Sequence, residues 1–122
     1  MPVDLNTSVP HSARIYDYLL GGFHNFEVDR QVARQAMQSM PDVVTQALAN
    51  RAFLHRSVRY LIGAGIRQFL DLGSGIPTLG NVHEIAQAVD PDARVVYVDI
   101  EPIAVAHSRQ ILSAVPNTAV IQ

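Results

Sequence analysis

The chain has 122 residues, of which 48% are apolar and 16% charged, and a formal net charge of −2, values typical of one small globular domain or part of one. The weak negative charge gives no electrostatic footprint for nucleic acid or an anionic membrane, and the longest apolar runs are too short to span a bilayer. Cys and Lys are both absent, which excludes disulfides, thiol nucleophiles, Cys-ligated metals, P-loop lysines and Schiff-base amines among these residues.

The first 65 residues predict a helical segment. Residues 1–10 form a lead-in without the basic and apolar regions of a signal peptide, so the cytoplasm is the expected location. Ser12 is the candidate cap of a short helix that ends at the Gly21-Gly22 pair. Pro41 separates two longer helices, predicted over 27–40 and 42–62. The first of these would place four apolar side chains on one face: Val32, Ala36, Met37 and Met40.

From residue 66 onward the pattern alternates between strands and helices. Strands are predicted over 68–72, 94–99 and 119–121, with helices after a capping box at Asn81 and Glu84 and over 102–114. A β-α-β-α-β order implies right-handed crossovers and a parallel sheet, which is a Rossmann-like α/β fold. Three parallel strands leave faces and edges uncovered, so we expect the front part of a longer protein.

An acid and two glycines follow the first predicted strand. Asp71 precedes Gly73 and Gly75, and Asp99 ends the neighbouring strand. Glycines let the backbone turn sharply and approach a ligand closely. A carboxylate at the end of the second strand can accept both hydroxyls of a ribose. The spacing therefore predicts a nucleotide-sized pocket at the carboxyl ends of two adjacent strands.

Two ligand classes use such a pocket. A dinucleotide would require a third glycine at position 78, where this chain has Thr78, and a helix directly after the glycines for its pyrophosphate. Asp71 would also face a pyrophosphate unfavourably. S-adenosylmethionine carries an ammonium and a sulfonium and no phosphate, so it tolerates an acidic rim. These three features together favour S-adenosylmethionine over a dinucleotide as the ligand.

The chain resembles the actinobacterial S-adenosylmethionine-dependent methyltransferase family formerly described as a domain of unknown function. The matching strings occupy residues 12–22, 25–26, 29–30, 51–56, 68–78, 81–84 and 94–99. The resemblance implies a Rossmann-like class I methyltransferase fold, with residues 1–65 as a helical extension or lid and residues 66–122 as the first half of the cofactor-binding domain. The family pattern continues past residue 122.

The resemblance also implies roles for particular residues. Gly73, Ser74 and Gly75 would line the methionine and ribose parts of S-adenosylmethionine. Asp99 would hold the ribose hydroxyls, and Ile100 would cover the adenine. Asp71 would lie near the ammonium, directly or through water, unless it only organises the loop.

The N-terminal helix offers two further candidates. If this helix folds over the pocket, it would bring Arg14 or Tyr16 to the cofactor carboxylate. The alternative is that Arg14 and Asp17 form an ion pair on the protein surface. Arg51, Arg56 and Arg59 are expected on a solvated face of the third helix.

The five histidines lack metal-ligand spacing, so no metal site is predicted. His83, in the first turn after the glycine loop, is expected to be hydrogen-bonded and structural.

The sequence thus favours transfer of a methyl group from S-adenosylmethionine to a small-molecule acceptor, without a covalent enzyme intermediate. Neither the acceptor, nor a catalytic base, nor the oligomeric state can be read from it. Two alternatives stay open: an NAD-binding Rossmann oxidoreductase, and a truncated, non-catalytic relative that serves as a binding module.

Overall fold

The computed structural model describes residues 6–77 and 80–122. Three helices precede an alternation of strands and helices. The elements are α1 (Ser12–Leu19), α2 (Glu27–Ser39), α3 (Val43–Gly63), β1 (Gln68–Leu72), α4 (Val82–Val89), β2 (Arg94–Val98), α5 (Pro102–Leu112) and β3 (Thr118–Ile121). Thr78, whose identity argues against a dinucleotide, lies outside the described residues, as do residues 1–5 of the lead-in.

The three strands form one parallel sheet in the order β1-β2-β3. Asp71 pairs with Tyr97, and Leu72 with Val98. This register brings the loop after β1 and the residues after β2 to the same edge of the sheet. The predicted α/β class and the parallel β-α-β-α-β order are confirmed.

The hydrophobic core lies on one face of this sheet. Val95 and Tyr97 of β2 meet Val58 and Ile62 of α3 and Ala86 of α4 there, all of them buried. The side chains of a strand alternate between faces, so Phe69 and Asp71 of β1 share this side. α3 therefore lies close to the end of β1 where the glycine loop begins.

The opposite face of the sheet is open within the described residues. Leu70, Leu72 and Ile121 are 63%, 70% and 52% exposed. The alternation in β1 thus separates a covered face from an apolar, solvent-exposed one. The prediction that 68–72 is a buried strand is correct for one face only.

Two local predictions are wrong. The cap of α1 is His11, whose Nδ1 accepts a hydrogen bond from the Ala13 backbone N–H at 3.2 Å, and Ser12 is the first helical residue. In α2 the buried positions are Asp29 and Ala33; of the predicted apolar face, Val32 and Ala36 are half-buried, whereas Met37 and Met40 are exposed. The buried stripe of α2 turns toward Asp29 because that carboxylate pairs with a buried arginine on α1.

Candidate functional site

The glycine loop is fastened to the end of β2. The backbone N–H groups of Gly73 and Ser74 both donate to the Val98 carbonyl, at 2.8 and 3.0 Å. Gly73 and Gly75 each have a φ of 68°, in the left-handed region that glycine adopts without strain. A Cβ at either position would meet no atom within 4 Å. The loop is therefore a cradle with free space above it.

Asp99 completes this arrangement. Its Oδ2 accepts a hydrogen bond from the Gly75 N–H at 2.6 Å, and its Oδ1 accepts from the Glu101 N–H at 2.9 Å. The residue is 8% exposed. A carboxylate has about four lone-pair positions, so each oxygen keeps capacity for a further donor. Asp99 can thus orient the loop and still receive two hydroxyl groups.

A cleft of about 860 Å³ lies over the loop. All the residues predicted from the sequence to form a site at the strand ends line this cleft: Asp71, Gly73, Ser74, Gly75, Asp99 and Ile100. Helices α1 and α3 form the facing wall, through residues that include His11, Tyr16, Asn50 and Arg51. Residues of the N-terminal helical segment therefore line the cleft together with the loop.

Tyr16 lies in this wall with its hydroxyl held by α3. The hydroxyl donates to the Ala47 carbonyl at 3.2 Å and accepts from the Asn50 side-chain amide at 3.2 Å. The ring is thereby fixed against the cleft.

Arg14 occupies a different position. It is 1% exposed and does not line the cleft. Its Nε donates to Asp29 at 3.0 Å, and its Nη1 donates to Glu101 at 2.9 Å. Neither alternative considered for Arg14 from the sequence describes this arrangement, since the side chain meets neither the cleft nor the surface. It is drawn inward by two carboxylates that are 15 and 87 residues away along the chain.

Arg51 was expected on a solvated face but lies in the cleft wall. Its Nη2 donates to the Asn81 side-chain oxygen at 3.0 Å, and its Nε is buried without a hydrogen-bond partner in the described part of the chain. The signal in the sequence was its position among apolar residues of α3, on the side that faces the sheet. Arg51 brings a positive charge to a cleft whose other charges are the carboxylates of Asp71 and Asp99.

These charges act on Asp71. Burial raises the pKa of the Asp71 carboxyl above its ordinary value, the Arg51 guanidinium opposes that rise, and the Asp99 carboxylate adds to it. A partly desolvated carboxylate of this kind gains from a cationic ligand. Asp71 of β1 and Arg51 of α3 thus offer a ligand in the cleft one anionic and one cationic contact.

His83 is buried next to Tyr97. The Tyr97 hydroxyl accepts from the His83 backbone N–H at 2.8 Å and lies 2.6 Å from the His83 Nδ1. Burial lowers the pKa of His83 and raises that of Tyr97. The neutral imidazole can therefore accept a hydrogen bond from the Tyr97 hydroxyl, and this contact ties α4 to β2, in line with the hydrogen-bonded, structural role expected for His83.

Residues 6–77 and 80–122 contain no group of three His, Cys, Asp or Glu side chains that could hold a metal ion. Within the same ranges, no helix combines the length and the apolar character needed to cross a membrane.

The sequence profile of a family described as S-adenosyl methyltransferase matches residues 1–122. The chain belongs to the S-adenosyl methyltransferase family. This match confirms the family resemblance inferred from the sequence. The name of the family also implies the predicted cofactor, S-adenosylmethionine. No curated protein matches the chain.

Solved structures similar to this S-adenosyl methyltransferase family member include two from actinobacteria. One is a candidate methyltransferase from Thermobifida fusca YX, with 55% identity, a TM-score of 0.92 and coverage of 98% of this chain and 46% of that one. Another is a DUF574 family protein from Streptomyces avermitilis MA-4680, with 44% identity, a TM-score of 0.90 and coverage of 96% of this chain and 46% of that one. The present chain thus spans less than half the length of both solved relatives.

Proposed function

We propose that the cleft binds S-adenosylmethionine and serves the transfer of its methyl group to a small-molecule acceptor. The observation that supports this most directly is the coupling of the glycine cradle to Asp99 through the 2.6 Å hydrogen bond from Gly75. That bond joins an open backbone surface to a carboxylate that can accept the hydroxyls of a ribose. The family membership favours this ligand over NAD.

The cleft offers a chemically complementary group to each part of this cofactor. Asp99 has lone pairs left for the ribose hydroxyls, and Ile100, which is 83% exposed, can cover one face of the adenine. Gly73 and Gly75 carry no Cβ and therefore leave space for the methionine chain and its sulfonium. The zwitterionic methionine end has complementary partners in Asp71 for its ammonium and Arg51 for its carboxylate.

When bound, the sulfonium group supplies an activated methyl group for displacement by a nucleophile. The residues of this chain contribute orientation: Asp99 and the loop hold one end of the cofactor, and Asp71 and Arg51 hold the other. Fixing a reactant at both ends lowers the entropic part of the barrier. Tyr16 and the start of α1 line the side of the cleft opposite the glycine loop.

Titration with S-adenosylhomocysteine, followed by calorimetry, tests the proposal. Charge-assisted hydrogen bonds contribute about 1.5–3 kcal/mol each, so Asp99→Asn should weaken binding by roughly 10- to 150-fold. Arg51→Gln should weaken binding by a similar factor. Asp92→Asn and Arg59→Gln are matched controls, since both residues are exposed and lie outside the cleft.

The outcomes separate the parts of the proposal. No heat with the wild-type protein would contradict S-adenosylmethionine binding altogether. Binding that survives Asp99→Asn unchanged would remove Asp99 from the ribose site. Equal losses in Arg51→Gln and Arg59→Gln would show that α3 contributes only general charge.

A further inference from the structure

A ring of contacts joins α3 to the residues that precede α4. Arg51 and His55 are one helical turn apart on α3, so their side chains leave the same face of the helix. The Arg51 Nη2 donates to the Asn81 side-chain oxygen at 3.0 Å, and the His55 Nε2 lies 2.9 Å from the Gly80 carbonyl oxygen. A carbonyl oxygen only accepts, so the His55 Nε2 carries a proton and is the donor. Because Gly80 and Asn81 are adjacent in the chain, these contacts close a ring.

Gly80 is required by its contact with His55 as well as by its backbone. Its φ of 71° lies in the left-handed region that favours glycine. A Cβ at this position would lie 2.3 Å from both the Cε1 and the Nε2 atoms of the His55 ring. The ring is the mobile end of its side chain, so any larger residue at position 80 would push it away and break the hydrogen bond. Gly65, with a φ of 98°, differs in this respect, because a Cβ there would meet no atom within 4 Å.

Asn81 connects this ring to α4. The residue is 6% exposed and is the cap of the helix. Its Nδ2 donates to the Glu84 Oε1 at 2.7 Å, and its backbone N–H donates to the same oxygen at 3.3 Å. The amide is therefore oriented with its nitrogen toward Glu84 and its oxygen toward Arg51. The position of Asn81 is thus held by α4 on one side and by His55, through Gly80, on the other.

Arg51 carries the effect of the ring into the cofactor cleft. Arg51 lines the cleft, whereas His55, Gly80 and Asn81 do not. A long side chain loses rotational freedom when it binds a ligand, and a hydrogen bond that restricts the side chain beforehand reduces this loss. The contact with Asn81 restricts the Arg51 guanidinium in this way. A displacement of Asn81 would therefore affect the cationic contact of the cleft and leave the Asp99 end as it is.

We propose that His55 is a positioning residue for the amino-acid end of the cofactor. It holds Gly80, and through Asn81 it orients the Arg51 guanidinium toward the ligand carboxylate. This inference rests on the proposed function, because the carboxylate is that of S-adenosylmethionine. His55 itself lies outside the cleft, so its effect on binding passes through Arg51.

Calorimetry with S-adenosylhomocysteine and methylthioadenosine tests this role, because the two ligands share the thioadenosine part and only the first has the amino-acid end. His55→Phe keeps an aromatic ring and removes the donor. A neutral hydrogen bond changes an equilibrium constant by a factor of about 2 to 10. We expect His55→Phe to weaken S-adenosylhomocysteine by about three- to tenfold and methylthioadenosine by less than about twofold. His55→Gln, whose amide can place a donor near the position of Nε2, should restore most of the lost affinity.

Gly80→Ala reaches the same contact from the other side. The new Cβ displaces the His55 ring, so this variant should show the same preferential loss of S-adenosylhomocysteine binding. Gly65→Ala is the matched control, because it places alanine in a left-handed conformation without touching a neighbouring side chain, and it should bind both ligands as the wild-type protein does. His55→Phe added to Arg51→Gln should cause no further loss, since the guanidinium that His55 orients is already absent.

The results distinguish this inference from the proposed function. If His55→Phe weakens both ligands equally or neither of them, or if its effect adds fully to that of Arg51→Gln, the positioning role is refuted and the cofactor site stands. If S-adenosylhomocysteine does not bind the wild-type protein, the proposed function fails, and the orientation of Arg51 is then measured by NMR in the unliganded protein. Gly80→Ala should move the Arg51 Nε–H resonance and Gly65→Ala should not. A resonance that Gly80→Ala leaves in place would overturn the link between His55 and Arg51.

Discussion

Replacement of Arg14 by methionine should destabilise the protein strongly, because Arg14 is the buried cation shared by two buried carboxylates. Its guanidinium donates to Asp29 of α2 and to Glu101, the cap of α5, and it also contacts the Val9 carbonyl and the Phe26 ring. Arg14 therefore ties α1 and α2 to Glu101, which lies two positions after Asp99. Methionine fills similar space and removes the charge.

The size of the loss follows from what remains around each carboxylate. Removing one partner of a buried ion pair costs about 3–5 kcal/mol, because the remaining charge is left uncompensated. Asp29 keeps the N–H groups of His11 and Phe26, and Glu101 keeps that of Ala104 at 2.6 Å. These donors place the expected loss near the lower bound, about 3 kcal/mol. For a chain of this size, that corresponds to a fall in Tm of roughly 12 °C.

Thermal and urea denaturation, followed by circular dichroism, measure this change. Arg34→Met is the matched control, because Arg34 also pairs with a carboxylate, Glu27, but both side chains are about half exposed. The control should leave the midpoint unchanged within error. Adding Glu101→Gln to Arg14→Met should restore part of the loss, since it removes one of the two stranded charges. Equal midpoints for Arg14→Met and Arg34→Met would refute the reasoning.

Two further predictions concern pKa values. The pKa of Asp71 is raised in the fold, so its charged form is disfavoured at neutral pH. Asp71→Asn should therefore raise the Tm of the unliganded protein, while calorimetry shows weaker binding of S-adenosylhomocysteine and unchanged binding of methylthioadenosine, which lacks the ammonium. An equal loss for both ligands would contradict the ammonium contact. The pKa of His83 is lowered from 6.5 by burial, so the unfolded chain binds more protons and stability falls as the pH drops below 6.5. His83→Gln should flatten the dependence of Tm on pH in the range below pH 6.5, and an unchanged slope in the thermal melts would assign that dependence to other groups.

The elements that the sequence predicted well are those determined by local signals. The bounds of β1 and the start of α4 agree with the structure, because an apolar run bounded by glycines and an Asn81–Glu84 capping box act over a few residues. The two-glycine loop and Asp99 also lie where a parallel sheet requires them. Their meeting follows from the order of elements alone, since right-handed crossovers place the ends of adjacent parallel strands together.

The predictions that failed depended on contacts between distant segments. No local pattern shows that Arg14 points away from the cleft, because its two partners belong to α2 and to the start of α5. Arg51 was assigned to a solvated face because of its charge, although it shares a helical stripe with Ala47, Leu54 and Val58, and its partner Asn81 lies 30 residues away. His11 replaces Ser12 as the cap because Asp29 also accepts a hydrogen bond from the His11 N–H. Tertiary partners decided each of these three positions.

The hydrogen bond between Gly75 and Asp99 has a spectroscopic consequence. At 2.6 Å, with a charged acceptor, the amide proton of Gly75 should resonate far downfield and exchange slowly with solvent. Ribose hydroxyls compete for the same carboxylate oxygens, so ligand binding draws charge away from that proton and moves its resonance upfield. One glycine amide, in a spectral region where few others appear, would then report occupancy of the cleft directly.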